Sequence, residues 1–276
     1  MRIIFFLCAS SCFSLPTNPS FVHGEGEVTS LRTAEQIVRA TDRSVIHWES
    51  FDLAQEESIY FDLPAACSAV LNRVLSTKAS AIHGSIASNG QVLLLNPAGI
   101  LVGKEAVIDV GGWIASTLDV QDRNFIESRD WQFSGSSSSP IDIAGVLRAD
   151  RIAILAEEIF CSGDLSGEKI SLIASRSASL FERGEQTFSS PGHLDFSGNA
   201  KAASISLLGD AVSLSGELSA FSIFVGGSRE GKDPMIWSAS SVEVSPFARV
   251  ETSAGGQAIF FSQGSLDFRG NVGIVA

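Results

Sequence analysis

The chain has 276 residues, with 31 acidic side chains against 19 basic ones and a formal net charge of −12. That balance excludes a nucleic-acid or anionic-membrane partner, because both call for a Lys/Arg-rich face. With 45% apolar and 18% charged residues the chain is core-forming rather than disordered, and its 25 Gly and 8 Pro follow no three-residue collagen period.

The first element in chain order is an export signal, assigned to residues 1–24. Arg2 supplies a positive start, Ile3 to Ala9 begins an apolar stretch that runs loosely to Leu15, and Pro16 and Pro19 break any helix. Val22-His23-Gly24 then places a small residue before a cleavage point. A lipid on Cys12 is the rival reading, but Leu is absent three residues before it. No later run reaches the length of a membrane helix. With Cys8 and Cys12 in the signal, only Cys67 and Cys161 remain, and one distant pair is no disulfide framework. Both are expected to be free, buried thiols.

Residues 33–43 are compatible with a short helix on propensity alone. Beyond residue 44 no 3.6-residue apolar pattern persists. Short β-rich runs recur instead, among them Val92–Leu95, Ile152–Leu155, Ile170–Ile173, Ile205–Leu208 and Ile223–Val225, separated by Gly, Ser, Asn and Asp. They align in one register. Gly145, Gly163, Gly198 and Gly216 each stand seven residues before Ile152, Ile170, Ile205 and Ile223. Leu147, Leu165, Ala200 and Leu218 follow each Gly by two residues, and Ile154, Leu172, Leu207 and Val225 follow each Ile by two. The Gly spacings of 18, 35 and 18 imply a coil of about 18 residues, with one coil degraded near the loop 182–185. Such a period fits a parallel β-helix whose rungs bury their apolar sides only by stacking, with Gly at the corners to supply positive φ. An antiparallel sandwich spaces its turns similarly.

Between residues 44 and 133 the sequence becomes distinctive. It reads Ser44-Val45-Ile46-His47-Trp48, then Val70-Leu71-Asn72-Arg73-Val74, then Gly90-Gln91-Val92-Leu93-Leu94-Leu95-Asn96-Pro97-Ala98-Gly99-Ile100-Leu101-Val102-Gly103, and last Gly111-Gly112-Trp113-Ile114-Ala115-Ser116-Thr117-Leu118-Asp119. This series resembles the two-partner secretion domain of filamentous-haemagglutinin-type exoproteins. The resemblance implies an all-β fold, a right-handed parallel β-helix with capping strands at its N-terminal end. It places the secretion domain at residues 25–135 and further coils at 136–276, ending on an unfinished strand, Gly270 to Ala276. It also implies a TpsA-like exoprotein that crosses the periplasm of a Gram-negative cell and is secreted or held at the cell surface. The implied partner is a TpsB-type outer-membrane β-barrel transporter with POTRA domains.

By that resemblance the transporter-recognition residues are Asn72, Arg73, Asn96, Pro97, Gly99 and Ile100. Locally Asn96 to Gly99 is also a turn, with Asn at i, Pro at i+1 and Gly at i+3. Family members usually carry Asn where this chain has Ala98. Trp48 and Trp113 are expected in the core.

Enzymatic chemistry is not expected, and no catalytic, metal-binding or cofactor-binding residue is assigned. Asp109, Asp119 and Asp122 read as solvated turn acids rather than the paired carboxylates of a glycan-cleaving β-helix. His23, His47, His83 and His193 lack metal-ligand spacing. Gly226 to Lys232 has the spacing of a phosphate loop, but Asp233 replaces the hydroxyl residue that would hold magnesium. The alternative function is a monomeric surface adhesin or carbohydrate-binding module with a host-cell or glycan receptor, for which Phe181, Phe188 and Phe196 are the aromatic candidates.

Overall fold

The computed structural model describes residues 14–181, 184–187, 192–227 and 238–275. The chain opens with β1 (Ser20–His23), β2 (Gly26–Arg32), β3 (Glu35–Ala40) and β4 (Ser44–Trp48). It then coils through β5 (Ser58–Asp62) and β6 (Ala69–Val74), β7 (Ser80–Ile82), β8 (Ser85–Ser88) and β9 (Gln91–Leu95), and β10 (Ile100–Val102), β11 (Val107–Asp109) and β12 (Gly112–Ser116). A first excursion carries β13 (Asp119–Val120), helix α1 (Asp122–Glu127) and β14 (Trp131–Ser134). Coiling resumes through β15 (Ile141–Ile143), β16 (Val146–Arg148) and β17 (Arg151–Ala156), then β18 (Glu158–Cys161), β19 (Asp164–Ser166) and β20 (Lys169–Ala174). The second excursion is β21 (Ser177–Phe181) and β22 (Gly184–Thr187). The last coils are β23 (His193–Phe196) and β24 (Asn199–Leu208), β25 (Ala211–Leu214) and β26 (Glu217–Val225), β27 (Ala239–Val244) and β28 (Arg249–Phe260), and β29 (Ser262–Phe268) and β30 (Asn271–Val275).

Successive coils stack into three parallel ladders, which makes the fold a parallel β-helix. Sheet 1 runs β3-β5-β8-β11-β16-β19-β24-β26-β28-β30. Sheet 2 runs β4-β6-β9-β12-β17-β20-β24-β26-β28. Sheet 3 runs β7-β10-β15-β18-β23-β25-β27-β29. The long strands β24, β26 and β28 pass through the corner between sheets 1 and 2 and join them. At the N-terminal end β2 lies antiparallel on β3, and β1 lies antiparallel on β4. The ladders cross residue 135 without a break, since β15 pairs with β10.

The register is the one read from the sequence. Ile152 pairs with Ile170, Ile170 with Ile205, and Ile205 with Ile223, while Leu147, Leu165, Ala200 and Leu218 form a second inward column. Both columns are buried in one continuous core that also holds Trp48 and Trp113. The corner glycines have a different role from the one expected. Gly145, Gly163, Gly198 and Gly216 are not at positive φ. They are needed because each packs on the carbonyl of the glycine one rung below. A Cβ at Gly198 would stand 2.1 Å from the Gly163 oxygen, and one at Gly163 would stand 2.2 Å from the Gly145 oxygen.

Several other expectations are corrected. Residues 33–43, which propensity leaves ambiguous, hold a turn and β3, because Val38 and Ala40 must face the core on a two-residue period. The 35-residue Gly spacing hides no degraded coil, since β20 pairs directly with β24. The extra residues instead leave the coil as β21 and β22, and residues 182 and 183 of that loop lie outside the described residues. With β13 and β14 they form a four-stranded antiparallel side sheet. This side sheet covers the outer surface of sheet 2 and closes a second core, with Leu93, Leu95, Ile114, Leu155 and Ile173 below and Phe125, Trp131, Phe133 and Leu180 above. Burial on both surfaces explains why these strands read as unbroken apolar runs. Cys67 is exposed, not buried, while Cys161 is buried and its thiol is pushed up to about 12 by that burial.

Residues 1–13 of the expected signal lie outside the described residues, but residues 14–24 belong to the fold. Ser14 donates from its backbone N–H (2.8 Å) and its hydroxyl (3.1 Å) to the buried Glu57 carboxylate. Thr17 bridges to Ser50, and β1 pairs with β4. A cut at Gly24 would strip this strand and expose the edge of β4, so we expect Edman sequencing of exported protein to give a start upstream of Ser14. A chain beginning at Glu25 should unfold at lower denaturant.

The glycine column predicts a contrast between two identical substitutions. Gly198→Ala forces a methyl into backbone and should cost roughly 1–3 kcal/mol in urea unfolding. Gly273→Ala, with nothing within 4 Å of its added Cβ, should leave the midpoint within error.

Candidate recognition site

The sequence-predicted residues fall into two places on neighbouring rungs. The first is the turn that leaves β9. Asn96 donates its backbone N–H to Ser116 O (3.0 Å), and its carbonyl accepts from the Gly99 N–H (3.0 Å), closing the tight turn. Its side chain is fully buried and fully used. Nδ2 donates to Lys78 O and to Ser80 Oγ, each at 3.0 Å, and Oδ1 accepts from the Ala98 N–H at 2.9 Å. Gly99 sits at φ +112°, where a side chain is strained, beside the Pro140 carbonyl. Ile100 opens β10, pairs with Ser80 and Ile141, and is buried. Within the motif Pro97 is the exposed residue, and its carbonyl accepts from Ser137 Oγ at 2.5 Å.

The second place is β6. Asn72 points into the core, where Trp48 Nε1 donates to its Oδ1 at 2.9 Å and its Nδ2 donates to Leu93 O at 3.1 Å. Those two bonds satisfy an amide that would otherwise be costly to bury. Arg73, one residue on, points outward beneath the side sheet. It is not a solvated charge, because its side chain is only 14% exposed. Nη1 pairs with Asp122 Oδ1 at 2.7 Å, Nη2 pairs with Asp119 Oδ1 at 2.9 Å, and Nη2 also donates to Val120 O at 2.8 Å. Asp119 and Asp122 are therefore partners of Arg73 rather than free turn acids. His47 Nε2 lies 3.0 Å from Arg73 Nη1, and burial together with the neighbouring guanidinium holds its pKa below the ordinary histidine value. Arg43 works beside them. It stacks over Phe125 and Trp131, with its Cζ 5.4 and 5.2 Å from the ring centroids, and donates to Phe125 O at 3.1 Å.

The sequence joined Asn72 and Arg73 as one box, yet they serve opposite surfaces of the same strand. It did not reveal Arg43, Ser80, Asp119 or Asp122 as partners. Arg73 and Asp122 are 49 positions apart, and no local pattern records a contact of that range. Among the described residues no three His, Cys, Asp or Glu side chains gather as a metal site. Of the phosphate-loop spacing, Ser228 to Lys232 and Asp233 lie outside the described residues, as does Phe188. Phe196 is core, and Phe181 is half-buried.

The clamp made by Arg73 gives a measurable expectation. Arg73→Met keeps most of the aliphatic stem but removes the charged bonds to α1 and β13, and should cost about 1.5–3 kcal/mol by urea unfolding. Amide exchange in β13 and β14 should speed up before exchange in β9 does.

The family model of the TPS secretion domain matches residues 15–243. A heme/hemopexin-binding protein of Haemophilus influenzae (strain ATCC 51907 / DSM 11121 / KW20 / Rd) is 37% identical over 112 residues, which are 41% of this chain and 12% of that protein. A second heme/hemopexin-binding protein of Haemophilus influenzae is 31% identical over 139 residues, 48% of this chain and 15% of its own length. The chain thus spans a small part of these relatives. Among solved structures, the HMW1 secretion domain from Haemophilus influenzae superposes with a TM-score of 0.62 at 19% identity, covering 94% of this chain and 100% of that one. The filamentous hemagglutinin secretion domain superposes with a TM-score of 0.60 at 15% identity, covering 95% of this chain and 100% of that one. The relatives named are binding proteins and secretion domains rather than enzymes. With the family model matched over most of its length and the β-helix shared with these structures, this chain belongs to the TPS secretion domain family.

Proposed function

We propose that this chain is the exported, TpsA-like partner of a two-partner system. It enters the periplasm on its N-terminal signal, is captured there by the POTRA domains of a TpsB-type outer-membrane barrel, and reaches the medium or the cell surface as a non-enzymatic monomer. The observation that carries this reading is the family match over residues 15–243. We take the coil to wind right-handed, as about 98% of parallel β crossovers do.

The buried state of the recognition residues supports capture before folding. Asn72 and Asn96 are each 0% exposed in the coil, so a transporter can touch their amides only while the segment is extended. An extended segment can add to a sheet edge in the POTRA domains through main-chain bonds, with side-chain pockets giving specificity. Cys67 and Cys161 are both free, so neither cross-links the chain against threading. Outside the cell each docked rung removes apolar surface from water at roughly 25 cal/mol per Å², which opposes return.

The test separates address from stability. In cells carrying the partner transporter, export is compared for wild type, Asn96→Ala and Gly198→Ala. Asn96→Ala loses three hydrogen bonds and should be destabilised by about 1–3 kcal/mol, comparable to the glycine variant. We expect Asn96→Ala to accumulate in the periplasm while Gly198→Ala is still exported. Equal export of both at equal stability would mean that Asn96 serves the fold alone. Wild type retained in the periplasm would remove the export reading itself.

A further inference from the structure

The outer surface of sheet 1 holds a groove that the export reading leaves unused. Strand register sets two outward rows along it. One row is Val146, Asp164, Asn199, Glu217 and Arg249, and the other is Arg148, Ser166, Lys201, Ser219 and Glu251. They line a hollow of about 380 Å³. At Lys201, Ser219 and Glu251 it opens into a second hollow of about 700 Å³, lying over the corner where β24, β26 and β28 pass from sheet 1 to sheet 2. Four rung steps at about 4.8 Å give the floor a length of about 19 Å.

The two rows differ in what they leave free. In the first, Asn199 Nδ2 donates to Asp164 Oδ1 at 2.7 Å, and Arg249 faces Glu217 at 3.7 Å. In the second, the charged groups of Arg148, Lys201 and Glu251 are exposed and make no hydrogen bond or ion pair among the described residues. The far end has been shaped by an insertion. Ala220 pairs with Thr252 but Ser222 pairs with Gln257, so three extra residues, 254–256, bulge out of β28. Gly255 takes φ +79°, and Gly256 packs so close to the Phe221 carbonyl that an added Cβ would stand 2.5 Å from it. The bulge walls one side of Phe221, which is 51% exposed above small residues, Ala202, Ala203 and Ala254. Bulges of this kind commonly re-aim side chains beside functional sites.

We propose that this groove binds a linear, neutral oligosaccharide laid across the rungs. One sugar ring lies against Phe221, and its neighbours share hydroxyls with Lys201, Ser219, Ser166 and Glu251. An aromatic face offers a rigid apolar platform for the C–H side of a sugar ring. Unpaired cations and an unpaired carboxylate on one row offer both donors and acceptors, which is what a hydroxyl-rich chain needs. A polyanion would meet no net positive charge, because Asp164, Glu217 and Glu251 balance Arg148, Lys201 and Arg249 on a chain of net charge −12. A peptide adding as a strand is disfavoured, because the strands beneath the groove are hydrogen-bonded on both sides.

The experiment is calorimetric titration of the folded protein with neutral hexasaccharides of glucose, mannose, xylose and N-acetylglucosamine, beside heparin and an acidic peptide. At least one neutral hexasaccharide should bind, and Phe221→Ala should weaken it tenfold or more with an unchanged unfolding midpoint. Phe221→Tyr should retain binding, and Lys201→Ala should weaken it severalfold. Absence of binding by every neutral hexasaccharide at millimolar concentration would overturn the proposal. So would binding indifferent to Phe221→Ala, or a preference for heparin or the acidic peptide that salt abolishes. None of these readings depends on export, so the two proposals stand or fall separately.

Discussion

The whole molecule depends on in-register approach of one rung to the next. Parallel stacking lets every backbone amide in the middle of the ladders find a partner above and below, but only if neighbouring rungs stay within about 4.8 Å everywhere, corners included. A tight place that recurs on successive rungs is the corner between sheets 3 and 1, where Gly145, Gly163, Gly198 and Gly216 stand in column, each against the carbonyl of the glycine one rung before. A slip of one residue would put a side chain into that column and turn the Ile152, Ile170, Ile205, Ile223 column out toward solvent. Steric intolerance at the corner and apolar burial in the core thus enforce the same register.

A fixed register also decides where the chain can depart from the coil. Both excursions leave after strands of sheet 2, following β12 and β20, and return to start a strand of sheet 3. Because they exit on the same side, β14 and β21 meet as antiparallel neighbours even though two complete coils separate them in sequence. Their side sheet then needs an apolar surface beneath it. Leu93, Leu95, Ile114, Leu155 and Ile173 supply that surface, and Arg43 and Arg73 close its margin with stacked and paired guanidinium groups. The arginines are suited to this place, because a planar guanidinium can bond carboxylates and carbonyls along one edge while its face covers an aromatic ring.

How much of this was legible in the sequence follows from the range of each interaction. The repeat of Gly145, Gly163, Gly198 and Gly216 was readable because a solenoid places equivalent residues at equal spacing, and the same columns of Ile and Leu came out paired. The turn at Asn96 was readable because Asn, Pro and Gly act locally. The side sheet was not readable, because β14 and β21 pair across two whole coils, and the 35-residue spacing looked like a lost rung. The pairing of Arg73 was unreadable for the same reason, its partners Asp119 and Asp122 lying far along the chain. The corner glycines were found, but for the wrong cause. Composition marks a residue that must be small without saying whether φ or a neighbour's carbonyl demands it.

The residues proposed for recognition pose a physical problem that the fold helps to frame. Asn72 and Asn96 are amides in an apolar interior, and an unsatisfied buried amide is costly, so their retention calls for bonds in the folded state. Those bonds are present, to Trp48, Leu93, Lys78, Ser80 and Ala98. The same donors and acceptors are unoccupied when the segment is extended, and an extended segment is the form proposed to meet the transporter. One set of amides can therefore serve two states in succession without serving both at once. If that is so, folding removes the address from reach as it forms, and release from the transporter is favoured by the very bonds that complete the coil. Under the proposed export, the turn and the address are two uses of one side chain, one on each side of the outer membrane.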